Sequence, residues 1–127
     1  MKDRSEIVAV DLTERELDLL LSGLREWSGP ASCTDSLARG MGFDDVDDFD
    51  QQRRRIGLAL REGAPLSRWD WTRILIAAEI VFVSDVAGSG VEWATTTGQS
   101  DADTLDALRG LQRKLGPVRV SLGPRSS

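Results

Sequence analysis

Five aspartates fall within the seven residues from Asp44 to Asp50, in the run FDDVDDFD. Carboxylates at that density raise the question of a metal site. A calcium loop of the EF-hand type needs the pattern D-x-[DN]-x-[DN]-G and a glutamate at its twelfth position. Here Asp48 is followed by Phe49 instead of glycine and the spacing fails, so calcium binding is not expected. Two readings remain. One is a solvated helix start whose charges suit the helix dipole, which is what most charge clusters are. The other is an acidic patch for a basic partner. Asp44, Asp45, Asp47, Asp48 and Asp50 are the candidate partner-binding residues.

Other groups offer less. Cys33 sits where a helix dipole would lower a thiol pKa. A nucleophilic cysteine needs a base, however, and the chain has no histidine to supply one. It reads as a structural thiol. Glu79 interrupts the apolar run from Ile74 to Val83. A charge among apolar neighbours must find a partner or a proton, and a core-edge ion pair with Arg73 or Arg68 is the expectation. An enzyme reading would gather Glu79, Asp85 and Glu92 around the turn at Gly88, but no pattern separates these from ordinary ion pairs. Gly88-Ser89-Gly90 matches neither G-x-x-x-x-G-K-[ST] nor G-x-G-x-x-G. Arg53, Arg54 and Arg55 are the only arginine run and the natural phosphate contacts of a nucleic-acid reading.

Composition narrows the choice. The chain has 127 residues, a net charge of −5 and a pI near 4.7. That length suits one domain with a core of its own. The negative total argues against non-specific nucleic-acid binding, which depends on phosphate neutralisation. With no histidine, no tyrosine and one cysteine, the commonest acid–base residue and the usual zinc ligands are missing. The expectation is therefore no cofactor, no metal and no enzyme. One cysteine allows no internal disulfide, which fits a reducing compartment. MKDRSE followed by four apolar residues does not read as a secretion signal. No apolar run approaches the roughly 20 residues that span a bilayer. The expected location is cytoplasmic.

The elements that must position these groups are helical. The organising stretch is Leu66 to Val86. Ser67 and Asp70 form an S-x-x-D capping box, Leu66 and Trp71 occupy the staple positions, and the helix starts at Arg68. It is apolar nearly all round, as buried helices are. β-branched density at Ile80 to Val83 leaves a buried strand as the rival. Upstream, Thr13 and Glu16 form another capping box, followed by Leu17, Leu20, Leu21, Leu24 and Trp27 at one-stripe spacing up to Gly29-Pro30. A short helix is expected from Cys33 to Arg39, capped by Ser32. Another is expected from Phe43 to Arg61, capped by Asp44, with Val46, Phe49, Ile56 and Leu60 as a stripe broken at Arg53. The last runs from Ala102 to Leu115, with Leu105, Leu108, Leu111 and Leu115 facing inward. Ile7 to Val10 and Val91 to Thr97 could pair as a small ribbon. Residues 1–117 form the domain, and Val118 to Ser127 read as a mobile tail.

The stretch AAEIVFVSDVAGSGVEWATTTG followed by DTLDALRGLQRKL resembles a small uncharacterised bacterial family. That resemblance covers residues 66 to 115, contains no motif of known chemistry and implies no catalytic residue. In type, the chain is also similar to immunity proteins that neutralise bacterial toxins, which are commonly small, acidic, cytoplasmic and single-domain. The fold expected is all-α, four to five helices around a central buried helix at about 68–86, with room for a minor two-stranded ribbon. The function expected is non-enzymatic protein binding: an inhibitor or immunity protein covering a basic toxin or enzyme. The alternatives are a small regulatory domain binding nucleic acid or a ligand, and a homodimeric structural protein.

Overall fold

The computed structural model describes residues 3–26, 34–82 and 101–120. Five helices and a two-stranded antiparallel ribbon are found there, a mostly α fold. They are β1 (Ile7–Val8), α1 (Glu14–Glu26), α2 (Asp35–Gly40), α3 (Val46–Arg61), β2 (Leu66–Ser67), α4 (Arg68–Phe82) and α5 (Asp101–Leu115).

Helix α4 is the buried centre, with α1 and α5 packed on it and on each other. Trp71, Ile74, Leu75, Ala77, Ala78 and Val81 are all buried. The helical reading therefore prevails over a strand for Ile80 to Phe82; residues 83–86 lie outside the described residues. Helix α1 crosses α4 closely at Gly23, where an added Cβ would meet the Cα and Cβ of Ala78 at 3.2 Å. The backbones approach there because neither residue has bulk beyond a methyl group.

The start of α1 matches its sequence signal. Thr13 N–H donates to Glu16 Oε1 at 2.9 Å, and Glu16 N–H donates to Thr13 Oγ1 at 3.1 Å, a reciprocal capping box. Leu20 and Leu24 are buried, Leu17 and Leu21 are half-buried, and Leu19 is also in the core. Trp27 lies outside the described residues.

At α4 the capping box is one-sided. Asp70 N–H donates to Ser67 Oγ at 3.0 Å, but the Asp70 carboxylate turns away to arginines. The remaining helix-start donors are met by the N-terminal segment instead: Arg68 N–H donates to Glu6 O and Trp69 N–H to Arg4 O, both at 2.9 Å. The same segment pairs Ile7 with Ser67 and Val8 with Leu66. The ribbon thus pairs β1 with Leu66–Ser67, and the expected partner, Val91 to Thr97, lies outside the described residues. Trp71 locks it, donating from Nε1 to Val8 O at 2.8 Å.

Other boundaries shift by local capping. Helix α2 is capped by Thr34, whose hydroxyl accepts from Leu37 N–H, in place of the expected Ser32. Cys33 lies outside the described residues. Helix α3 begins at Val46, capped by Asp45 and not by Asp44. Its stripe at Phe49, Ile56 and Leu60 is buried, and Arg53 fills the gap with a side chain only 13% exposed. In α5, Leu108, Leu111 and Leu115 join the core, while Leu105 is exposed and Ala107 takes an inward place. Val118, assigned to a loose tail by its sequence, is buried, and Val120 N–H donates to Thr72 Oγ1 at 3.0 Å.

Candidate functional site

The acidic run lies at the start of α3, and most of it works locally. Asp45 Oδ1 accepts from Asp48 N–H at 2.8 Å, and Asp48 Oδ2 accepts from Asp44 N–H at 3.0 Å. Asp35, from α2, accepts from Val46 N–H at 3.0 Å. Three carboxylates therefore satisfy backbone donors of one helix start, where the dipole also favours them. Asp50 faces the other way and holds Arg53 and Arg54, the latter at 3.0 Å. Of the five candidates, Asp44 and Asp47 project as exposed residues whose carboxylates serve no cap. The structure brings all five to one helix end without aiming them at one point. Among the described residues, no three Asp, Glu or Cys side chains gather closely enough to hold a metal ion.

A buried charge network anchors this end. Asp70 is nearly buried, and its Oδ1 accepts from Arg73 at 2.7 Å and from Arg55 at 2.9 Å. Burial pushes the Asp70 carboxyl up, but the two guanidinium groups outweigh it and hold the group below its ordinary value of 3.8. The Arg73 guanidinium lies over the Phe43 ring at 4.4 Å and near Trp69 at 5.2 Å, and donates to Gly42 O at 3.3 Å. Arg73 thus ties α4 to the turn that precedes α3, and Arg55 ties α4 to α3 itself. Sequence reading assigned Asp70 to a cap and missed this role. Arg73 lies at i+3 on the same helix and was within reach of a local reading, whereas Arg55 lies 15 residues away.

Glu79 has other partners than expected. It accepts from Gln112 Nε2 at 2.7 Å and faces Arg119 at 3.9 Å. Arg68 is taken by Glu6 and Pro117 O, and Arg73 by Asp70. Asp85 and Glu92 lie outside the described residues. Arg53, Arg54 and Arg55 fan around α3, the first two held by Asp50 and the third by Asp70. Successive helical residues point about 100° apart, so the three present no common row to a phosphate backbone.

One further feature was not singled out in the sequence. A cleft of about 320 Å³ opens between α1 and α3, lined by the apolar Leu21, Leu24 and Leu58 and the cationic Arg25, Arg53, Arg54 and Arg61. The spacing of Arg54, Leu58 and Arg61 on one stripe was its only sequence signal.

Compared with known proteins, the chain matches no family model, no curated protein and no solved structure. Its class is therefore defined by the fold: a small helical protein with a minor ribbon. Among the described residues, no helix is long and apolar enough to cross a membrane.

Proposed function

We propose that the chain is a non-enzymatic protein-binding domain of the inhibitor or immunity type, covering a basic site on a toxin or enzyme with the acidic end of α3. The observation that carries this reading is the bonding that fixes that end. Asp35, Asp45 and Asp48 cap it, and Arg73, held by Asp70 of α4, ties down the turn at Gly42 and Phe43 just before it. Asp44 and Asp47 are thereby presented on a fixed platform. Binding by preorganised charge loses little ordering entropy and associates quickly, with strong dependence on salt.

The test is affinity capture from the native organism's lysate at low and high salt, with wild type and with Asp44→Lys/Asp47→Lys. These two positions leave every cap intact, so loss of capture would report on the surface and not on folding. A basic protein retained at low salt, released at high salt and lost by the double variant supports the reading. Retention by the double variant removes the acidic end as the contact.

A further inference from the structure

We propose that the cleft between α1 and α3 receives an acidic amphipathic helix from a partner protein. This is a second surface, separate from the acidic start of α3, and it does not rest on that reading.

Charge is the first argument. Among the described residues, four arginines and no carboxylate line the cleft, in a chain whose total is −5. Asp50 is shared by Arg53 and Arg54. One carboxylate between two guanidinium groups leaves an excess of positive charge there. It also holds both groups in place, so an incoming carboxylate meets donors that are already oriented.

The apolar lining is the second argument. Leu58 is 55% exposed, one of few large apolar side chains so open among the described residues, and Leu21 and Leu24 lie beside it. A bare anion would leave Leu58 in water. A helix with an apolar stripe between acidic residues would cover Leu58 and place carboxylates against the arginines. Arg54, Leu58 and Arg61 stand at i, i+4 and i+7, a stripe about 10 Å long at 1.5 Å per residue, which two turns of a helix would span. Arg54 is 71% exposed and reachable.

Nucleic acid suits the cleft less well. Among the described residues, its lining contains no aromatic ring on which a base could stack, and the chain's overall charge opposes a phosphate backbone.

The experiment is fluorescence anisotropy of the whole chain with two labelled peptides of identical leucine stripe, one flanked by glutamates and the other by lysines. The glutamate peptide is expected to bind with an affinity that falls as salt rises. Arg54→Glu/Arg61→Glu and, separately, Leu58→Asp should each weaken it by about tenfold or more. All three positions are exposed, so circular dichroism should stay unchanged. Asp44→Lys/Asp47→Lys should not weaken it, which separates this surface from the acidic end of α3. Equal binding of both peptides, no binding, or binding indifferent to the cleft variants would overturn the proposal. So would a single-stranded oligonucleotide that binds more tightly than the glutamate peptide and is lost in the same variants. A dimer seen by light scattering that Leu58→Asp dissociates would reassign the cleft to a second copy of the chain.

Discussion

The Glu16 carboxylate rests on the backbone of Gly110: a Cβ built at position 110 would lie 2.1 Å from Glu16 Oε2. Glu16 is buried, completes the cap of α1 and pairs with Lys114 at 2.5 Å. A glycine in mid-helix is ordinarily a liability of about 1 kcal/mol against alanine. Here the clash outweighs that preference, because moving Glu16 aside breaks both its cap and its ion pair. Gly110→Ala should therefore destabilise the protein, by about 1–3 kcal/mol. Urea unfolding would check the sign; a gain in stability would show that Glu16 relaxes freely.

Asp70→Ala should be among the most damaging single changes. It leaves the buried Arg73 guanidinium without its counter-charge and releases Arg55. Removing one partner of such a network costs about 3–5 kcal/mol. Arg55→Ala should cost far less, since its side chain is half exposed and Arg73 still serves Asp70. Thermal unfolding of the two variants side by side measures the difference.

Acid should destabilise the fold through the same groups. At Glu16, burial raises the carboxyl pKa, but Lys114 and the Thr13 hydrogen bonds outweigh it, and the folded value lies below the ordinary 4.5. Asp70 likewise lies below 3.8. A carboxyl with a depressed folded pKa stabilises above its unfolded pKa, and that stability is lost as pH falls through the folded value. Stability at these two sites should therefore hold near neutral pH and decline below about pH 4.5, as the unfolded chain takes up protons first. Glu16→Gln should flatten that decline relative to wild type in a pH series of denaturant midpoints.

The five aspartates should separate by role. Asp45→Ala removes the cap of α3 and should cost about 1 kcal/mol. Asp47→Ala touches no cap and should lie within about 0.5 kcal/mol of wild type. Equal costs at both positions would show that the Asp45–Asp48 hydrogen bond contributes nothing.

Local signals were legible in the residues. The Thr13–Glu16 box and the leucine spacing after it place α1, and Ser67 marks the start of α4, because caps and stripes join residues within four positions of each other. The caps that moved did so by one or two residues between neighbouring Ser, Thr or Asp, any of which can cap.

The candidate site was half legible. The acidic run is visible in the sequence, but its division of labour is not. Asp35 comes from another helix to cap α3, and Asp50 turns toward Arg53 and Arg54. The cleft went unread because its apolar lining joins Leu21 and Leu24 of α1 to Leu58 of α3, and no periodicity relates them.

By itself the sequence determined a helical protein built on the apolar segment from Arg68 onward, since hydrophobic period and capping are properties of neighbours along the chain. Only the tertiary structure decided that the ribbon pairs Ile7 with Ser67, that Glu79 meets Gln112, that Asp70 serves two arginines, and that the acidic chain carries a cationic cleft. Those pairings form after helices pack, between groups as far apart in sequence as Trp71 and Val8, and among many chemically equivalent partners packing alone selects one.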